Sequence, residues 1–234
     1  MKGDINHKQM RVYNQKVEQL SASIEQIEDH NNKVRRNIIP CNLEPCQCCG
    51  VSPDEFKRHE ARQRQFYVIV DQIIKTVFGL LLRWKCPGCG KTATDYPEFA
   101  LPYKRYTVPT ILSFSAFYTE DDDMTYQEVN RKMPVAYPDS EKQMSYTSIY
   151  RWITNLGNSS NICRNAIDFI LQDEPSSNIC RELANICVPP KKYRSKERYN
   201  QLSQCRQFLK IEKLFKMKFE VKIFPNFAKK YSFQ

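Results

Sequence analysis

Two short stretches constrain this chain more than any other part of it. Cys46-Gln47-Cys48-Cys49-Gly50 and Cys86-Pro87-Gly88-Cys89-Gly90 each place two cysteines three positions apart with a glycine directly after them, and 36 residues lie between Cys49 and Cys86. Two thiolates at this spacing chelate one ion from a tight turn, and the trailing glycine tolerates the positive φ that such a turn needs. Two such turns complete a tetrahedral shell. Cys46, Cys49, Cys86 and Cys89 are therefore read as ligands of one structural Zn²⁺, with a four-cysteine iron site as the competing metal. A redox dithiol fits less well, because such motifs usually occur once, at the start of a helix in a βαβ context. A closed four-sulfur shell has no open position for water or substrate, so the metal is expected to fold the unit rather than catalyse.

The chain has ten cysteines in all. The first eight residues are polar and lack the apolar core of a secretory signal, and no apolar run reaches the ~18 residues of a membrane span. A cytoplasmic location and no membrane partner are expected, and a reducing compartment argues against a disulfide framework. Cys41 and Cys48 are read as neighbours of the metal site or alternate ligands. Cys163, Cys180 and Cys187 are read as apolar positions on helices. Cys205 has no paired ligand spacing.

Ahead of the cysteines, Met10, Tyr13, Val17, Leu20, Ile24, Ile27, Asn31 and Val34 recur at heptad spacing within residues 1–39. The pattern is read as a coiled-coil-like helix forming a homodimer, against the alternative of an amphipathic helix packed on its own chain. Pro40 and Pro45 close it. Residues 40–95 are read as a zinc ribbon, with strands at Phe66–Val70 and Leu80–Trp84 and an ambiguous stretch between them. Residues 96–109, with three prolines, form an extended connector.

From 110 to 157 the period becomes helical. One helix is expected at Thr110–Tyr118. A second begins at the capping box Thr125-Tyr126-Gln127-Glu128 and stops before Pro134, and a third spans Ser145–Leu156 with Gly157 as its C-cap. In the third, Ile149, Trp152, Ile153 and Leu156 mark the buried face, leaving Tyr146, Thr147, Tyr150 and Arg151 exposed and Ser148 at the margin. A helix whose first turn carries hydroxyls followed by arginine can enter a major groove; an ordinary amphipathic helix is the alternative.

Residues 158–187 read as short helices and 188–234 as a basic C-terminal region. The latter holds 13 Lys/Arg and 3 Asp/Glu, whereas residues 1–187 hold 23 of each. A basic end of this kind suggests a polyanion, with a solubilising tail as the alternative. Within it, Phe215, Met217, Phe219, Val221 and Ile223 alternate with Lys216, Lys218, Glu220 and Lys222, which reads as a strand, either at a lysine-protected sheet edge or facing phosphate. The whole is an α+β chain.

The run Trp84-Lys85-Cys86-Pro87-Gly88-Cys89-Gly90-Lys91-Thr92, the segment Leu101-Pro102-Tyr103-Lys104-Arg105-Tyr106 and the pair Arg151-Trp152 resemble the amino-terminal region of bacterial transposase-like proteins, over about residues 46–157. That resemblance implies a zinc ribbon followed by a helix-turn-helix, binding to double-stranded DNA, and the same four cysteines as ligands. The connection from Met133 to Met144 is longer than a simple helix-turn-helix turn. This suggests splayed helices or a wing-like excursion. The N-terminal heptads lie outside the pattern.

Catalysis has little material here. The one dense acidic run, Glu120-Asp121-Asp122-Asp123, falls between two expected helices, there is no phosphate-binding glycine loop, and the histidines are His7, His30 and His59. The expectation is a non-catalytic, nucleoid-associated DNA-binding protein of a mobile element. Its DNA contacts are Lys104, Arg105, Tyr146, Thr147, Ser148, Tyr150, Arg151, Lys216, Lys218 and Lys222. The alternatives are an adaptor docking onto a transposase, recombinase or polymerase and, with less support, a catalytic transposase or nuclease.

Overall fold

One long hairpin organises the chain in the computed structural model, which describes residues 24–121, 123–138, 143–185, 195–220 and 223. β1 (Lys57–Val70) pairs antiparallel with β2 (Ile73–Lys85), from Lys57↔Lys85 to Val70↔Ile73, with an irregularity between Arg58 and Glu60. β3 (Thr92–Asp95) joins β2 along Leu82–Lys85, giving the order β1-β2-β3. The reversal uses Asp71 and Gln72, with φ of 49° and 65°. Two consecutive residues at positive φ are what a tight hairpin of matching twist requires. Both strands are longer than expected. Their outer parts escaped notice because Lys57–Gln65 is polar and mostly exposed, and no glycine marks the turn.

The first described helix, α1, covers residues 24–35. Its face is taken by its own chain. Ile27 is buried with Phe66, Val68, Leu81, Phe99 and Ala100, while Val34 joins Leu43, Phe56, Leu82, Trp84 and Ala93. Between them the Asn31 carboxamide accepts the Leu80 amide at 2.8 Å and donates to the Phe78 carbonyl at 2.7 Å. His30 Nε2 donates to the Leu80 carbonyl at 2.8 Å. α1 thus satisfies the edge of β2 that β3 does not reach, as an exposed edge demands. The described part of the heptad seam is therefore an intramolecular contact, and Met10 to Leu20 lie outside the described residues. The helix ends in a Schellman turn, with Asn37 at φ 58°, Asn37 N bonded to Val34 O and Ile38 N to Lys33 O. Arg58 donates to Val34 O and to the Asn37 side chain, tying that end to β1.

Among the described residues six further α-helices follow: α2 (Val108–Glu120), α3 (Tyr126–Lys132), α4 (Tyr146–Gly157), α5 (Ser160–Asp173), α6 (Ile179–Ala184) and α7 (Lys196–Phe219). Among the described residues the fold is mixed α+β, and no helix is long and apolar enough to cross a membrane. α2 begins earlier than expected because Pro109 lies in its first turn, where a missing amide costs nothing. The Thr125–Glu128 capping box forms in both directions. Gly157 is the last helical residue, with Asn158 as the C-cap, so it is not needed for positive φ. A Cβ there would sit 2.3 Å from the Gln201 carbonyl oxygen; the missing side chain lets α7 cross α4 closely.

The strand expected at Phe215–Ile223 is corrected. Phe215 to Phe219 finish α7, whose buried residues Leu202, Cys205, Phe208, Ile211 and Phe215 keep helical phase. Phe219 meets Phe215 one turn back, ring centroids 4.7 Å apart, and Met217 between them is 71 % exposed, so the apparent alternation is a coincidence of helical spacing. Glu220 terminates the helix at φ 58°, and the Glu212 carboxylate accepts the Ile223 amide at 2.9 Å.

The long connection between α3 and α4 pairs with the hairpin tip. Ile74 N bonds to Ala136 O, Ala136 N to Gln72 O, and Met144 N to Val135 O. Ile69 and Ile74 enter the helical core beside Phe114, Trp152, Phe208 and Ile211. Tyr67 N bonds to Arg105 O at 2.8 Å, so the connector is stitched to the same hairpin.

Candidate functional site

The two cysteine turns repeat one geometry. Cys46 N bonds to Val51 O and Gly50 N to Cys46 O; forty residues on, Cys86 N bonds to Lys91 O and Gly90 N to Cys86 O. Gly50 and Gly90 stand at φ 74° and 73°, where a Cβ is disfavoured. Gly88 has a different reason: a Cβ on it would lie 2.9 Å from Val51 and 3.1 Å from the Cys49 sulfur. The four sulfurs of Cys46, Cys49, Cys86 and Cys89 lie within 4.8 Å of one another, with Cys49–Cys86 at 3.3 Å and Cys46–Cys89 at 3.5 Å. Tetrahedral zinc with Zn–S of about 2.3 Å would set its sulfurs roughly 3.8 Å apart. The spacing fits an ion such as zinc.

The electrostatics agree with that donor set. The Cys48 amide, bonded to the Cys46 sulfur, is the main cause of lowering its pKa to about 6, and the Cys49 amide adds to it. Four sulfurs this close cannot all ionise without a cation among them, since like charges disfavour one another. Cys41 and Cys48 stand outside the group, half-buried and exposed respectively. The remaining described thiols differ from the expectation in one case: Cys180 on α6 is exposed rather than apolar-packed. Burial pushes Cys163 and Cys205 up to about 12 and leaves them unreactive.

A second cluster lies where the connector meets α4. Trp152 is buried, its ring 5.0 Å from Tyr106 of the connector and 6.0 Å from Phe114 of α2. Its neighbour Arg151 is exposed. Burial and then the charge of Arg151 lower the pKa of the Lys104 ammonium, which places these two cations close together although 46 residues separate them. Arg64 of β1 donates to Lys104 O at 2.8 Å, and its pKa is lowered by burial and the nearby Arg105 charge. Arg105 donates to Tyr67 Oη at 3.0 Å and lies over that ring. Among the described residues none of Arg64, Lys104, Arg105 and Arg151 is ion-paired with a carboxylate, while other cations pair readily.

The connector turns here with an unexpected residue. Lys104 N bonds to Leu101 O, Pro102 holds the second position, and Tyr103 occupies the third at φ 60°. That is the type II arrangement, whose third position normally takes glycine or asparagine. For a residue with a Cβ the left-handed region costs roughly 1–2 kcal/mol. Tyr103 is 91 % exposed, so burial does not offset the cost.

The other expected DNA contacts divide. Tyr146 and Thr147 are exposed and Ser148 is half-buried on the first turn of α4, where Ser145 Oγ accepts the Thr147 amide. Tyr150 is engaged internally: the Arg198 guanidinium lies 4.2 Å from its ring centroid while bonding Thr154, Gln201 and Tyr126. Lys216 is exposed. Lys218 is held between Asp173 at 3.0 Å and Glu174 at 2.6 Å, so its charge is answered within the chain. Lys222 lies outside the described residues. Asp121 of the acidic run caps α2, accepts the Asp123 amide and sits 3.8 Å from Lys132. Arg64, Tyr103 and Arg198 were missed as functional candidates. The polar strand run around Arg64 gave no periodicity, and Tyr103 was visible only as a motif letter.

Residues 46–152 match the family described as Domain of unknown function (DUF6431). The match opens on the first cysteine of the cluster and closes on the buried tryptophan of α4. No curated protein and no solved structure matches the chain.

Proposed function

We propose that the protein is a non-catalytic DNA-binding protein whose Cys46, Cys49, Cys86 and Cys89 hold one structural zinc ion. In this reading the zinc ribbon braces the hairpin, and α3 and α4 act as a helix-turn-helix-type pair whose long connection is a wing zipped to the hairpin tip. The observation that carries the proposal is the convergence of Arg64, Lys104, Arg105 and Arg151, contributed by β1, the connector and α4, without a carboxylate partner among the described residues. Holding like charges together costs stability, and a polyanion restores it. The exposed first turn of α4 beside them, with Tyr146 and Thr147, supplies the groups that enter a groove. The resemblance to transposase-like proteins extends the reading to the ends or regulation of a mobile element, with a transposase or recombinase as a partner.

Arg151→Ala tests this directly. Fluorescence anisotropy with a labelled duplex should show binding that weakens steeply with salt for the wild type. The variant should bind roughly tenfold more weakly, with a salt slope smaller by about 1. Far- and near-UV circular dichroism should be unchanged, because Arg151 is exposed. Equal affinity of the two proteins would refute groove contact by α4 and favour the adaptor, in which these cations face a protein.

A further inference from the structure

A tyrosine stands where a type II turn calls for glycine, and among the described residues no burial repays it. Among the described residues Tyr103 is the most exposed of the large hydrophobic side chains, at 91 %, and Lys104 and Arg105 directly follow it in sequence. The same turn is fixed from three sides. Pro102 sets its second position, Arg64 donates to the Lys104 carbonyl, and Tyr67 N bonds to Arg105 O. The ring is therefore projected from a turn whose backbone is held in place, directly before Lys104 and Arg105 in the chain. Strain kept at a position with no packing return marks a functional position.

We propose that Tyr103 is a base-stacking residue, and that the basic surface around it takes DNA carrying an unpaired nucleobase. The inference rests on the DNA-binding reading above and narrows its substrate. An aromatic face binds any base by stacking, while surrounding lysine and arginine hold the adjoining phosphates. A fully stacked duplex hides its base faces. A bulged or frayed nucleotide presents one, and an exposed ring beside a phosphate-binding patch is suited to it.

The test uses the full chain and two 20-base-pair DNAs, identical except for one extra unpaired adenine in the second, with affinities read by anisotropy. Wild type is expected to prefer the bulged DNA by roughly tenfold, within the range that stacking one base on an aromatic supplies. Tyr103→Phe should keep that preference. Tyr103→Gly should bind both DNAs with the affinity wild type has for the paired one. The glycine variant should melt at a temperature no lower than wild type, since it relieves the turn. If wild type binds the paired duplex in an Arg151-dependent way but shows no preference, or if Tyr103→Gly retains the preference, the stacking role is overturned while the DNA reading stands. If wild type binds neither DNA, the underlying reading falls as well, and the tyrosine belongs to a protein contact.

Discussion

The two ends of the hairpin are held by different physics. At its open end β1 and β2 run into the cysteine turns, where Val34, Leu43, Phe56, Leu82, Trp84 and Ala93 make a small core around Cys46 and Cys86. At the tip, Ile69 and Ile74 are absorbed into a helical core that includes Phe114, Trp152, Ile153, Leu202, Phe208 and Ile211. Small apolar cores seldom stabilise a fold alone, and ligation substitutes for the missing burial. With the proposed metal bound, the same two strands would depend on sulfur at one end and on hydrocarbon at the other.

Metal removal should break the comparison most sharply. Structural zinc sites in small domains contribute on the order of 10 kcal/mol. Chelation is expected to raise amide exchange in Leu82–Lys85 by at least about 100-fold while Ile149–Leu156 stays protected, as read by exchange mass spectrometry. Simultaneous loss of protection at both ends would show that the hairpin is one cooperative unit and erase the distinction. Gly157→Ala attacks the opposite end. Its new Cβ would press on the Gln201 carbonyl, a backbone atom that cannot swing aside, at a cost of about 1–3 kcal/mol in urea unfolding. Bound zinc per chain should remain at the wild-type value, and a fall would mean that the helical crossing supports the metal site. The smallest effect is expected midway along the hairpin. Asn31→Ala deprives the Phe78 carbonyl and Leu80 amide of their partner and should cost about 1–2 kcal/mol, without altering metal content or the α4 surface. No change in stability would show that water replaces the carboxamide.

The cysteine end was legible in the sequence because ligand spacing and trailing glycines are local signals, and both turns formed as their residues require. The α4 face was equally legible, since Ile149, Trp152, Ile153 and Leu156 repeat at helical spacing and all are buried. Asn31 was misread for a physical reason: a polar residue in a heptad seam looks the same whether it meets a second helix or the edge of a strand. The Phe215–Phe219 alternation misled because two-residue and four-residue spacing share every second interval. The basic surface was only half visible. Lys104, Arg105 and Arg151 stood out by residue type, but their approach to one another, and to Arg64, depends on Trp152 seating against Tyr106, a tertiary contact with no local sequence mark.

The hairpin also has the properties of a ruler. Its strands are clamped at the tip by Gln72, Ile74 and Ala136 and at the base by the cysteine turns, and their side chains alternate faces along the way. One residue inserted into either strand would invert that strand's faces beyond it and take Phe66 of β1, or Leu82 of β2, out of the cluster it now fills. Two residues inserted into each would preserve the faces and lengthen the spacing between the sulfur cluster and the helices by roughly 7 Å. Variation in this chain's hairpin length should therefore come in pairs, and each pair would re-space the cysteine turns from the basic surface by one fixed step.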